Sequence, residues 1–464
     1  MYIKIIVFSL AVLPIISTCS KKESLPNYII VFTDDQRSDA LGTRPNKDII
    51  TPNLDSLSKT GVNFKNAFVT LSICSPSRAA LLTGRYGLAN GVVTYGNVSY
   101  DKKLKTFANY LQENGYVTGL VGKWHLKNSP EAAGFDYASF FFSNGPWYNR
   151  QVIEGGDTTK AEGFIEDYNA RKAVQFLDQR PEDKPFLLFL NPQLPHLDHN
   201  HEWDVQEETI KKYSGMDINP PENWKDDLSG KPPYLQTERH RQLAIEYGYQ
   251  NKDTLISQIK RYYSAITEMD AALGKVFQYV RQNKLDENTY LIVMGDNGWF
   301  IGDHLFTSKV LAYEESIRVP FFMSGPGIEP GENHELVLNI DVMPTLLELA
   351  NIEIPDNLHG ESIVPLLEGK ENVDWRDRYY YEAPEPQLGS WPLYAVRTHR
   401  FKYIRTYDIN NRDSVVFEEL YDLENDPYEL SNIIDKPDFR EKADELSNDL
   451  DSLRNYYNNQ IKLQ

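Results

Sequence analysis

Cysteine is nearly absent: the 464-residue chain has two, Cys19 and Cys74. Cations are also scarce, 48 lysines and arginines against 67 acids, giving a formal net charge of −19 and a pI near 5.0. A nucleic-acid binder normally carries a basic stripe, so that class is set aside. Were the ligand an anion, local cations would have to attract it, because the overall field repels it. No repeat period is visible, which excludes a solenoid. The apolar N-terminal run from Ile5 to Ile16 is too short to span a bilayer. What is present is ample core material, 41% hydrophobic residues, enough for one large domain with a smaller one attached.

The N-terminus, "MYIKIIVFSLAVLPIISTCSKKES", places Lys4 before the apolar run and small residues after it, the pattern of an export signal over residues 1–18. "ISTC" before a polar stretch resembles a bacterial lipobox, which would make Cys19 a lipidation site. The expected location is then the periplasm or the outer membrane of a Gram-negative bacterium, with membrane contact only through that anchor. Simple cleavage near the same place is the alternative. In either case Cys19 is not a disulfide partner, and Cys74 is a lone thiol in an oxidising compartment, which calls for a reason.

Four strand-like apolar runs end in polar clusters. "NYIIVFTDD" runs into Asp34 and Asp35, "YVTGLVGKWH" into Lys123 and His125, "PFLLFLNPQLPH" into His196, and "TYLIVMGDNG" into Asp296 and Asn297. Near-continuous apolar strands suit a parallel sheet covered on both faces. Helical segments alternate with them, among them "TPNLDSLSKTG", "LKTFANYLQENG", the long "TLISQIKRYYSAITEMDAALGKVFQYVRQN" and "DVMPTLLELANI". The predicted fold class is therefore α/β, a large doubly wound, mostly parallel sheet flanked by helices. Ligands in such folds sit beyond the carboxyl ends of the strands, where the four clusters fall. From about Trp375 aromatic and polar residues alternate between turn signals. That predicts a catalytic domain over 25–374 and a C-terminal subdomain over 375–464, a small antiparallel sheet followed by a terminal helix. Residues 200–250, rich in Pro, Asp, Glu and Tyr, read as a long surface insertion.

Asp34, Asp35, Asp296 and Asn297 offer hard oxygen donors, which suit Ca²⁺ or Mg²⁺. Taken singly, an aspartate here could cap a helix and "GDNG" could be a tight turn. Converging carboxylates repel unless a cation sits between them, so convergence favours metal. In "CSPSRAALLTGR", Pro76 fits a first helical turn, placing Cys74 just outside the N-terminus, where free N–H groups favour an anion. Arg78 lies one turn in. A buried structural cysteine is the blander alternative.

Cys-X-Pro-Ser-Arg, three residues, then Leu-Thr-Gly-Arg is the pattern of the type I sulfatases, of the alkaline phosphatase superfamily, and this segment resembles it closely. "TDDQR", "GKWH", the "PH" after a strand, "GDNGWFIGDHLFTSKVLAYEESIRVP" and "ELYDLENDPYEL" resemble further family segments in the family's order. The resemblance covers Asn27 to about Asp435. It implies a sulfuric ester hydrolase whose Cys74 is oxidised by a formylglycine-generating enzyme to Cα-formylglycine, the hydrate being the nucleophile. It implies one Ca²⁺ per chain, bound by Asp34, Asp35, Asp296, Asn297 and the modified Cys74. Arg78 would hold the hydrate, and Lys123 and Lys309 would grip sulfate oxygens. His196, helped by Lys309, would protonate the leaving alcohol, and His125 would take a proton from the second hydroxyl so that sulfate is expelled.

Exported sulfatases of this kind act on sulfated carbohydrates, so a sulfated oligosaccharide or polysaccharide is the expected partner. Trp147, Tyr148 and Arg150 in "NGPWYNR", His199, His201, Trp391 and Tyr394 are candidate sugar contacts, with His304 at the pocket wall and Lys123, His196 and Lys309 on the sulfate. Two alternatives stay open here: a phosphonate or phosphate monoester hydrolase of the same superfamily, and a sugar-binding lipoprotein with a dead site.

Overall fold

The computed structural model describes residues 25–43, 46–370 and 373–462, with side chains to 459, so the expected export segment and Cys19 lie outside the described residues. A ten-stranded sheet forms the centre. Its strands in chain order are β1 (Asn27–Thr33), β2 (Val62–Phe68), β3 (Val117–Lys123), β4 (Tyr137–Phe141), β5 (Gln151–Glu154), β6 (Asp157–Lys160), β7 (Phe186–Asn191) and β8 (Thr289–Gly295). After a small hairpin, β9 (Phe300–Ile301) and β10 (Thr307–Ser308), come β11 (Phe321–Ser324) and β12 (Gly331–Leu338). The order across the sheet is β12-β2-β11-β8-β1-β7-β3-β4-β5-β6. The centre, β8-β1-β7-β3-β4, is parallel, while β11 and the edge pair β5 and β6 run antiparallel to their neighbours.

The apolar runs are unbroken because both faces of each central strand are covered. In β1, Ile29 and Val31 enter one core and Tyr28, Ile30 and Phe32 the other. In β7 and β8, Leu188, Leu190, Leu291 and Val293 face the first core, and Leu187, Phe189, Ile292 and Met294 the second. The first core is roofed by the helices Ile165–Gln179 and Lys252–Gln282. The longer helix turns Leu255, Ile259, Tyr262, Ile266, Met269, Leu273, Val276 and Val280 inward, three or four residues apart. The second core is closed by the helices Cys74–Thr83, Phe107–Glu113 and Val342–Leu349.

The C-terminal part is an antiparallel meander, β13 (Arg378–Ala383), β14 (Leu393–Thr398), β15 (Phe401–Tyr407) and β16 (Val415–Asp422), followed by the helix Arg440–Lys462. It shares a third core with Ile73 and Ala80 on either side of the Cys74 turn. The stretch 200–250 is less superficial than its composition predicts. Trp203, Tyr213, His240, Ala244 and Tyr249 are buried, because its scattered aromatics pack onto the long helix and the hairpin. Among the described residues no helix is long and apolar enough to cross a membrane.

Candidate active site

The four strand ends converge as the sequence predicts. Asp34 and Asp35 follow β1, Lys123 closes β3 with His125 two residues on, His196 lies beyond β7, and Asp296 and Asn297 follow β8. Main-chain bonds lock the ends together: Asp296 N–H donates to Thr33 O at 2.8 Å, and Asp35 N–H donates to Asp296 Oδ1 at 3.2 Å. Asp35 and His125 take left-handed backbone, φ 61° and 58°, which turns their side chains out of line with the strands they follow. Cys74 is the first residue of its helix and not outside it, Ile73 being the cap.

At that helix mouth Cys74 Sγ donates to Asp34 Oδ1 at 3.2 Å and accepts from Lys309 Nζ at 2.8 Å. Lys309 Nζ also donates to Asp35 Oδ1 and, at 3.2 Å, to Asn297 Oδ1. Lys123 Nζ donates to Asp34 Oδ2, and Arg78 donates to Asp296 Oδ2 at 2.8 Å and to Lys123 O at 3.0 Å. His196 Nε2 stands 3.6 Å from Asp35 Oδ2, its Nδ1 on Leu197 O at 2.8 Å. That second bond assigns the proton of neutral His196 to Nδ1 and leaves Nε2 facing the acids. All of these side chains are buried or nearly so.

Burial and charge pull against each other here. Asp34 is held well below the usual carboxylate range: burial opposes its ionisation, and Lys123, then His196, Lys309 and Arg78, outweigh that. Asp296 is pushed up by burial and by Asp34 across from it, with Arg78 opposing. Burial, with the Asp34 charge behind it, raises the Cys74 thiol to about 12, so as a cysteine it would be a poor nucleophile at neutral pH. Burial, then Lys123, lowers His125 well below the imidazole range, and burial lowers His196 against the pull of Asp35 and Asp34.

The carboxylate oxygens of Asp34 and Asp35 and the amide oxygen of Asn297 suit a hard cation, while the Cys74 thiol and the His196 ring beside them are softer donors. Ligand atoms of Asp34, Asp35, Cys74 and His196 all lie within 4.8 Å of one another, and Asp35 Oδ2 is buried without a hydrogen bond. The Lys309 ammonium occupies the point where Asp35, Asn297 and Cys74 meet, a positive charge satisfying acceptors that a cation could share. Asp296 is engaged instead by Arg78 and the Asp35 backbone.

A cavity of about 370 Å³ opens over Cys74, lined by His125, His196, His201, Trp299 and Lys309 among others. Other expected sugar contacts lie elsewhere. His304 is fully buried, not on the pocket wall: Nδ1 is on Asp226 Oδ2 at 2.6 Å and Nε2 on Asn223 at 3.0 Å, partners it reaches only by turning inward. Trp147 is 1% exposed and packs in the main core against Phe164. Arg150 lies behind the wall, stacked on Phe141 at 3.6 Å, holding Gln193 and, at 3.0 Å, Ser143 O. Tyr148 and Trp391 pack on Phe164 and Tyr234, Tyr394 lies under Arg454, and His199 pairs with Asp198, so none of the four lines the cavity.

Residues without an assigned role in the sequence reading complete the wall: Tyr95, Trp299, Tyr247 and Arg239. Trp299 could have been found, since it stands inside "GDNGWF". Tyr381 of β13 is a supporting residue that no local pattern marks. Its Oη accepts from Ser72 N–H at 3.1 Å and donates to Val310 O at 2.5 Å, tying the Cys74 turn to the Lys309 loop. Tyr381→Phe is expected to destabilise the fold by about 1–3 kcal/mol and to lower kcat several-fold with little change in KM. Urea unfolding and steady-state kinetics check this, and unchanged kcat would leave the tie with a purely structural role.

A family model described as sulfatase matches residues 26–352, and one described as N-sulphoglucosamine sulphohydrolase, C-terminal, matches 302–456. An N-acetylglucosamine-6-O-sulfatase of Bacteroides thetaiotaomicron is 28% identical over 93% of this chain and 87% of its own length. An ulvan-active sulfatase of Formosa agariphila is 29% identical over 93% of this chain and 80% of its own. A solved structure described as a complex with its substrate D-glucosamine-2-N,6-O-disulfate superposes with a TM-score of 0.85 at 27% identity, covering 94% of this chain and 99% of that one.

Proposed function

This chain belongs to the sulfatase family and is a sulfuric ester hydrolase, and on that premise we propose that it desulfates a sulfated glycan using a matured Cys74 and a calcium ion. The observation that carries the reading is the buried thiol at the helix mouth, seated against Asp34 and Lys309 and open to the cavity between two histidines. A thiol raised to about 12 serves poorly as it stands, which supports its conversion by a maturation enzyme. A maturation enzyme bringing its own two-electron oxidant would convert the Cβ of residue 74 to an aldehyde, water supplying the oxygen and the sulfur leaving as sulfide. The hydrate of that formylglycine would offer an oxygen nucleophile and a second hydroxyl. Asp34, Asp35, Asp296 and Asn297 would hold the calcium ion, which would supply charge neutralisation for the ester and acidity for the nucleophile.

The remaining work belongs to the chain's own side chains. Lys123 and Lys309 hold sulfate oxygens and offset the charge that accumulates there during attack. Arg78 orients residue 74 and balances Asp296. His196, fixed through Nδ1, presents Nε2 to the departing sugar oxygen; the incoming anion favours its protonated form, and it delivers that proton to the alcohol. His125, kept neutral by burial and Lys123, accepts a proton from the residue-74 side chain as sulfate departs. Sulfated carbohydrate as substrate is supported by the two relatives and by the sugar disulfate named for the solved structure. Export, with lipidation at Cys19, rests on the N-terminal sequence.

The direct test is the mass of the tryptic peptide beginning at Asn66, together with rates on 4-nitrophenyl sulfate and 4-nitrophenyl phosphate. A peptide lightened by exchange of sulfur for oxygen together with loss of two hydrogens, and a clear sulfate preference, are expected. Phosphate preference would overturn the reading. His196→Ala should separate leaving groups. A sugar alkoxide needs a proton and nitrophenolate does not, so sugar-sulfate turnover should fall about 10²–10⁴-fold and 4-nitrophenyl sulfate far less. Equal losses on both would reject His196 as the acid.

A further inference from the structure

Arg239 opens the helix Arg239–Glu246, in the part of the chain that composition marked as an insertion, and its side chain lines the cavity over Cys74. Among the described residues on that lining, Arg239 and Lys309 carry the formal positive charges and no carboxylate appears. The two differ in what they face. Lys309 is spent on Asp35, Cys74 and Asn297. Arg239 is exposed and makes no side-chain hydrogen bond or ion pair among the described residues. In a chain of net charge −19, an unpaired guanidinium on an acid-free wall is a local exception.

Its place is also held. His240 Nε2, on the next residue, is 2.7 Å from Lys309 O, so the helix start is moored to the loop that carries the inner cation. His240 is fully buried, and burial lowers it to about 4, so this mooring is made by a neutral ring donating to a carbonyl. On the same lining stand Tyr247 and His201, neither with a side-chain hydrogen bond or ion pair among the described residues. Gly389, at φ 87°, passes so close that a Cβ there would meet Arg239 Cβ at 2.6 Å, which keeps the backbone path tight against the arginine.

The cations of the inner site are already engaged, Arg78 and Lys123 by Asp296 and Asp34, and Lys309 by Asp35. A second anionic group on the substrate would thus find its countercharge at Arg239. We propose that Arg239, with His201 and Tyr247, forms an outer anion subsite, and that the preferred substrate is a sugar carrying a second acidic group, a sulfate or carboxylate, besides the ester that is cleaved. This deepens the sulfated-glycan reading and rests on it. A guanidinium matches either oxyanion through paired N–H donors.

The test compares kcat/KM for glucosamine 2-N,6-O-disulfate and glucosamine 6-O-sulfate, with 4-nitrophenyl sulfate as a measure of sulfate-ester chemistry. The unaltered enzyme should prefer the disulfate, and added salt should shrink that preference. Arg239→Ala should lower the disulfate-to-monosulfate ratio about tenfold, mainly through KM; Arg239→Lys should keep part of it, and Arg239→Glu should lower it further. Arg239 is exposed, so these variants should fold. Proportional loss on both sugars, or no preference in the unaltered enzyme, overturns the subsite. If 4-nitrophenyl sulfate is turned over at the same time, the sulfatase chemistry stands without it. Absence of turnover on all three overturns the reading on which the subsite depends.

Discussion

Cys74→Ala is expected to reduce turnover about 10⁴-fold or more, the scale seen when the nucleophile of a concerted constellation is removed. Folding should survive the change. The residue is small, and each group it touches has another partner: Asp34 keeps Lys123, and Lys309 keeps Asp35 and Asn297. The variant should therefore still bind a sulfated ligand, which calorimetry on the inactive protein can read. Cys74→Ser makes a sharper comparison. One hydroxyl can attack sulfur, but no second hydroxyl is present to expel the sulfate, so at most about one alcohol per enzyme should appear. Sustained turnover by either variant would remove formylglycine from the mechanism.

Asp35→Ala is expected to have the next largest effect, about 10²–10³-fold in kcat/KM, with loss of calcium affinity. Asp35 contacts Lys309, Asn297 and, at 3.6 Å, His196, and its Oδ2 has no hydrogen bond. Its removal leaves the Lys309 ammonium buried with only Cys74 and Asn297 for company, and deprives the cation of a principal oxygen. Melting temperature gives a readout independent of activity. Calcium at about 100 times its dissociation constant should stabilise the unaltered protein by about 2.7 kcal/mol, and the variant far less. A chelator should abolish activity, and calcium should restore it. Full activity in chelator, with melting indifferent to calcium, would exclude the ion.

The parts of the fold legible in the sequence were those governed by local repetition. Continuous apolar runs marked β1, β3, β7 and β8 because strands covered on both faces have no polar side to show. The acids, lysines and histidines at their ends were legible because an α/β sheet collects its strand ends along one rim. The outer cavity was not. Trp147 and Arg150 have the types of sugar contacts, yet the first folds into the core and the second onto Phe141, donating to Ser143 O. His304 turns toward Asp226 and Asn223, which precede it by about eighty residues, and no short-range pattern announces that. Arg239 stands in a stretch without hydrophobic periodicity, where distance to the cavity is set by the His240 mooring.

Tyr381 gives the meander a hold on the chemistry that its distance in sequence conceals. One phenol oxygen grips Ser72, two residues before the nucleophile position, and Val310, one residue after the inner lysine. If β13 to β16 come loose while the central sheet remains intact, both loops are freed together. Heat inactivation should then run ahead of global melting, with the small sheet acting as the enzyme's fuse.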